Sequence, residues 1–290
     1  MKIFSLCSGI RLGARVLDED FVYGISIRPG WRALEPSRNV YDWSKVDPLI
    51  MAATSKGKKV FFRVIVGPSS PDYILNDPAI PKVKFYSEKT EGLVTTPVPW
   101  NAKYLERYDI FCKNLATYLN KIPAVEIVAI SGAADGAANP FLENEGMPQY
   151  VKAGYTAKLW TDTWKTMIDT HLSYFPRKTV SLCFDCKDNQ ISQDLVAYAF
   201  GKNKAGNRIA IQSNSLNGRP AFLQRMDWLK KYVNLMPIGF QMSWSSGERL
   251  GPMDQAIKNG VTFGANYLEI YQTDVLNPQY ETLFTKKEVR

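Results

Sequence analysis

The sequence predicts a closed barrel of eight parallel strands wrapped by helices, a (β/α)8 fold. Three observations predict it. Short, nearly continuous apolar runs alternate with helical patterns along the chain, the signature of parallel strands covered on both faces. The 290 residues match the usual size of such a barrel. No apolar run ends in a Gly-rich phosphate loop, which argues against a doubly wound open sheet.

The elements follow in order. Residues 22–28 read as a strand, and 43–55 as an amphipathic helix stopped by Gly57. Residues 59–66 form a second strand. The span 101–120 carries apolar residues at 105, 108, 111, 112, 115, 118 and 119, a helical period. Further strands are expected at 125–131, 179–185, 208–214, 238–243 and 267–272, with helices at 150–174, 191–200, 221–233 and 252–261. That makes seven strands, and residues 3–7 supply the eighth. The whole chain, 1–290, reads as one barrel domain. Residues 68–100 form a long insertion after the third strand, in which 83–86 and 93–98 pair as a hairpin beside the cleft.

Alternation along each strand divides its side chains between two faces. One set is Gly24, Ser26, Arg28; Phe61, Arg63, Ile65; Ala129, Ser131; Ser181, Cys183, Asp185; Ala210, Gln212, Asn214; Gly239, Gln241, Ser243; and Tyr267, Glu269, Tyr271. The other set is mostly branched and aromatic and packs on the helices. The first set therefore faces the barrel interior, where buried polar groups must satisfy one another. Glu269 is expected to pair with Arg63 or Arg28.

Composition narrows the chemistry. Hydrophobic residues are 45% and charged residues 22%, which excludes a disordered or fibrous chain. A single His excludes any mechanism needing two, including most zinc sites. That one, His171, sits on a helix face beside Trp160, Trp164 and Met167. The four Cys read as buried apolar fillers, and Cys183 with Cys186 as part of a strand. The net charge of +8 suits an acidic partner, but the basic residues are scattered, and no nucleic-acid partner is expected. The N-terminus reads as neither a signal peptide nor a membrane span, and no membrane partner is expected. The oligomeric state is not encoded in any motif.

In such a barrel, function sits at the C-terminal ends of the strands. Those positions are rich in carboxylates, amides, Ser and Trp. Sugar chemistry uses this set: paired carboxyl groups flank the bond, amides and Arg bind hydroxyls, and indole faces cover the ring. Candidate carboxylates are Asp135, Glu143 and Glu269. Candidate substrate-binding residues are Arg28, Trp31, Arg63, Trp100, Asp185, Asn214, Gln241 and Trp244. Lys82, Lys84 and Lys89 on the insertion suit an anionic glycan or plain solvation.

A family resemblance carries the same message. GISIRPGWRALEP at 24–36, followed by VYDWSKVD at 40–47, resembles the second-strand region of clan A glycoside hydrolases, among them the family 42 β-galactosidases and their relatives. KKVFFRV at 58–64 and PDYIL at 71–75 resemble their third strand and its following loop. YLEIYQTDVLNP at 267–278 is similar to the last strand of glycosidase-like barrels. The resemblance spans about residues 22–278. It implies hydrolysis of glycosidic bonds by a Glu pair, without metal or organic cofactor, and a structural role for Glu35. The usual pair is not evident, however. The fourth strand runs into SGAADGAANPFLE at 131–143 with no Asn-Glu at its tip, and Glu145 lies farther out. The seventh reads FQMSW at 240–244, so Gln241 or Ser243 stands where a nucleophilic Glu is implied. An amide cannot serve in that role. The nucleophile then comes from Glu269 or Glu248, or the mechanism is not the clan's, or the barrel binds carbohydrate without cleaving it.

Overall fold

A computed structural model describes residues 1–13, 15–88, 90–134, 139–184, 190–203 and 208–285. The strands are β1 (Lys2–Leu6), β2 (Gly24–Ile27), β3 (Lys59–Phe62), β4 (Lys82–Ser87), β5 (Gly92–Pro97), β6 (Val125–Ala129), β7 (Thr179–Phe184), β8 (Ile209–Leu216), β9 (Ile238–Met242) and β10 (Tyr267–Tyr271). The helices are α1 (Trp31–Leu34), α2 (Asp47–Ser55), α3 (Asp72–Leu75), α4 (Ala102–Leu119), α5 (Met147–Lys152), α6 (Ala157–Tyr174), α7 (Gln190–Lys202), α8 (Phe222–Arg225), α9 (Met253–Phe263), α10 (Gln272–Val275) and α11 (Glu281–Phe284).

Eight strands close in the order β1-β10-β9-β8-β7-β6-β3-β2, and every pairing in the ring is parallel. β1 is the closing strand: Phe4 lies opposite both Gly24 and Glu269. The fold is the expected (β/α)8 barrel. β4 and β5 stand outside it as an antiparallel hairpin, with Lys82 opposite Pro97 and Ser87 opposite Gly92.

The two-faced alternation explains the packing. Outward residues such as Ile25, Ile27, Val60, Phe62, Leu182, Ile211, Phe240 and Ile270 join the apolar layer under the helices. Inward residues Phe4, Phe61, Ile127, Ala129, Cys183, Ala210 and Tyr267 form a separate small core inside the barrel. There the rings of Phe4, Phe61 and Tyr267 meet edge to face, with centroids 5.9–6.0 Å apart. Two glycines make room for them. A Cβ on Gly24 would lie 2.8 Å from the Phe4 ring, and one on Gly239 would lie 2.1 Å from the Tyr267 ring.

The helix layer departs from the sequence reading in two places. The helix expected over 150–174 is broken: α5 ends before Gly154, whose φ of +87° no helix continues, and α6 restarts with Thr156 capping Leu159 N–H at 3.1 Å. The helix expected over 221–233 is instead the short α8 followed by a 3-10 segment, Asp227–Tyr232. Cys7, Cys112 and Cys183 are buried thiols, as expected, while Cys186 lies outside the described residues. Among the described residues no helix is long and apolar enough to cross a membrane.

Candidate active site

The polar interior begins above the aromatic core, toward the C-terminal ends of the strands. Glu269, on β10, is fully buried and forms an ion pair with Arg63, which follows β3. The same carboxylate oxygen, Oε2, accepts from Gln212 Nε2 at 2.6 Å, and Arg63 Nη1 donates to Gln241 Oε1 at 3.2 Å. Gln212 Nε2 also donates to Asn214 Oδ1 at 3.0 Å. The Arg63 guanidinium lies 4.5 Å from the centre of the Phe61 ring, so the ion pair rests on the aromatic floor. Barrels of this kind ordinarily fill their interior with branched apolar side chains. A charged layer is a departure that costs desolvation and persists only where charges and amides satisfy one another. Here they do so in part: among the described residues Glu269 Oε1, Gln212 Oε1 and Arg63 Nε are buried without hydrogen-bond partners.

Above this layer the side chains become partly exposed. Arg28, Asn214, Ser243 and Tyr271 ring the mouth. Arg28 follows β2, beside Arg63, whose backbone N–H bonds the Ile27 carbonyl at 3.0 Å. Burial, and behind it the charge of Arg63, lower the Arg28 guanidinium below its ordinary value, with Glu269 opposing. Burial also raises the Tyr271 hydroxyl, so it stays protonated and able to donate at neutral pH.

The expected pairing of Glu269 with Arg63 is present. Arg28, Arg63, Asn214, Gln241 and Glu269 come together as the alternation required. Gln212 and Tyr271 belong with them, and their inward parity was the signal. Other candidates stand elsewhere. Trp31 is fully buried in the helix layer, against Tyr104, Tyr108 and Phe111, and its indole N–H donates to Glu35 Oε2 at 2.8 Å. It lines no cleft, because the chain turns directly into α1 after β2 and swings the ring outward. Glu35 takes the expected structural role, its Oε1 accepting from Asn39 N–H at 2.9 Å. Trp100 is also drawn off the mouth: its indole N–H donates to the Ala153 carbonyl at 3.0 Å, and its ring packs on Tyr150, Tyr155 and Trp160. Trp244, by contrast, is 49% exposed beyond β9, with Arg249 stacked 4.7 Å from its ring centre.

The segment after β6 is gripped from behind. Tyr108 and Ser131 hydroxyls meet at 2.6 Å, Tyr104 donates to the Gly132 carbonyl at 2.6 Å, and Ser131 N–H points to His171 Nε2 at 3.4 Å. Ser131 thus faces the helices, not the interior expected of it, because β6 ends at Ala129. His171 is a buried helix-face residue whose Nδ1 bonds the Met167 carbonyl at 2.8 Å; burial lowers its pKa to about 4. Farther along, Glu143 precedes a 3-10 turn, Asn144–Gly146, and is nearly buried at 8% exposure. The hairpin packs on that turn: a Cβ on Gly146 would lie 2.8 Å from the Phe85 ring. Asp135, Asp185 and Lys89 lie outside the described residues.

No protein family matches the sequence, and no curated protein does. Solved structures do resemble it in fold. The catalytic domain of β-amylase from Paenibacillus polymyxa aligns with a TM-score of 0.61 at 11% identity, over 97% of this chain and 94% of that one. Xylanase B from Clostridium stercorarium F9 aligns with a TM-score of 0.55 at 13% identity, over 93% and 85%. A psychrophilic family 10 endo-β-1,4-xylanase gives 0.55 at 11%, over 93% and 86%. This chain shares the (β/α)8 fold of those three structures.

Proposed function

We propose that this chain holds an oligo- or polysaccharide across the C-terminal mouth of its barrel and hydrolyses glycosidic bonds with carboxylates of the segment that follows β6. The observation carrying this reading is the Arg63–Glu269–Gln212–Gln241 layer beneath the mouth. A barrel maintains such a layer against its desolvation cost where polar groups must be aimed at a ligand. Arg28, Asn214 and Tyr271 would meet sugar hydroxyls, and Trp244 offers an exposed ring face. Two carboxyl groups share the hydrolysis, one protonating the leaving oxygen and the other acting as nucleophile or base. Glu143 and Asp135 are assigned to that pair. Glu269 is assigned to binding electrostatics, because its bonded oxygen is engaged twice and its side chain has no exposure.

One observation favours a second reading, a barrel that binds carbohydrate without cutting it. The amide of Gln241 stands on β9 where the resemblance implies a nucleophile, and it is bonded to Arg63. Reducing-sugar release from a glycan panel separates the two. Hydrolysis that is lost in Glu143→Gln or Asp135→Asn supports the first. A glycan that raises the melting temperature but is never cut supports the second.

A further inference from the structure

Resting on that reading of the mouth as a carbohydrate site, the charge balance there says which carbohydrate. Two guanidinium groups, Arg28 and Arg63, stand on adjacent strands and face the same interior. Among the described residues of this interior layer one carboxylate, Glu269, faces them; it is ion-paired to Arg63 and acts on Arg28 only through space. Arg28 has no ion-pair partner among the described residues; its Nη2 lies 3.4 Å from the Cys7 carbonyl, a long hydrogen bond to a neutral oxygen. The other described groups set against it, Tyr271 and Cys7, are neutral at ordinary pH. The Tyr271 hydroxyl is raised, and burial pushes the Cys7 thiol up to about 12.

A partly buried guanidinium without a counter-charge is a costly arrangement, because charges leaving bulk water are normally paired. Arg28 is not sealed in: it is partly exposed at the mouth, while Arg63 beneath it is 3% exposed. The surplus positive charge therefore points where a ligand arrives. A guanidinium binds a planar carboxylate or a sulfate oxygen pair with two parallel N–H donors, a stronger contact than any sugar hydroxyl offers.

We infer that the mouth accepts an acidic saccharide, with the anionic substituent of one sugar unit seated on Arg28. Neutral glycans would leave the Arg28 charge unanswered. The inference concerns substrate class only and holds for a hydrolase or a binder alike.

The test compares matched ligands on the whole chain by calorimetry. Oligogalacturonides, glucuronoxylan oligosaccharides and alginate oligosaccharides are each paired with their carboxyl-reduced forms, and a sulfated and a desulfated galactan form a further pair. At least one acidic member should bind tenfold or more tightly than its neutral partner, with the preference shrinking as salt rises. Whether a uronate or the sulfated pair shows it identifies the anion. Arg28→Met should abolish the preference, weakening the acidic member by a much larger factor than its neutral partner; Arg28→Lys should keep part of it. Equal affinity for acidic and neutral partners in the wild-type chain would overturn the inference while leaving the carbohydrate reading intact, and that comparison needs no variant to fold. An acid preference that survives Arg28→Met in a chain with wild-type melting would overturn the assignment to Arg28. Binding of no saccharide at all would remove the carbohydrate reading itself, and this inference with it.

Discussion

At Glu269 a single carboxylate oxygen serves both Arg63 and Gln212, with no solvent exposure. Removing its charge strands a buried guanidinium, which costs far more than the pair itself contributes. Glu269→Gln should therefore destabilise the chain by about 3–5 kcal/mol, read from a urea midpoint at unchanged slope. Replacing Arg63 and Glu269 together by Met and Leu should restore much of that loss. A Glu269→Gln chain of full stability but no turnover would instead place this residue in the chemistry. His171 makes a second prediction, since it is the one histidine in the chain. Its folded pKa of about 4 lies below the ordinary 6.5, so the unfolded chain takes up the proton first as pH falls. Its contribution to stability is whole above 6.5 and is lost as pH falls toward 4. Between pH 6.5 and 5 the loss should reach about 2 kcal/mol. A His171→Leu chain, less stable at pH 7, should show a flat midpoint over that interval. An equal slope in both proteins would remove His171 as the cause.

Each barrel strand divides into an outward apolar face and an inward mixed face, and that division was legible from alternation alone. It correctly brought Arg63 together with Gln212, Gln241 and Glu269, the last three from consecutive strands of the ring. Helix ends were less legible, because the break at Gly154 is a backbone conformation inside an otherwise continuous pattern. Trp31 and Trp100 depart from the sequence reading for a related reason. Proximity to a strand end does not say which way a ring turns, and the immediate start of α1 sends Trp31 to the helix side. The Gly239 position tests the inward face directly. Gly239→Ala would push a Cβ into the Tyr267 ring, and overpacking of this kind costs about 1–3 kcal/mol or more. Tyr267→Leu in the same chain should recover part of it; a stable single variant would contradict the packing described. The β4–β5 hairpin is an element of a different kind. Its own small core of Val83, Phe85, Val98 and Tyr150 sits apart from the barrel's. Replacing residues 82–97 by a short Gly-Ser link should leave one cooperative melt and weaken glycan binding or turnover, since the hairpin buttresses the turn behind Glu143. Loss of folding would make it part of the barrel's stability instead.

Over the whole molecule, closure is what turns scattered sequence positions into a site. β1 seals the ring between β10 and β2, so Arg28, Arg63 and Glu269, far apart in the chain, share one interior. The floor is aromatic, the middle layer is an ion pair braced by amides, and the rim is polar and partly open. The proposed carbohydrate site rests on that gradient, and the fold it is built on is shared with glycosidase catalytic domains. For the segment after β6 the sequence offers only a group of candidate carboxylates, because a Gly/Ala-rich stretch carries no periodicity to aim them, and Asp135 among them lies outside the described residues. The most direct test of the central claim is a crystal structure of the chain soaked with mixed acidic and neutral oligosaccharides. A sugar is expected at the C-terminal mouth, hydrogen-bonded to Arg28 and Asn214, with the Arg63–Glu269 pair unbroken beneath it. A saccharide bound elsewhere while the mouth holds only water would contradict it.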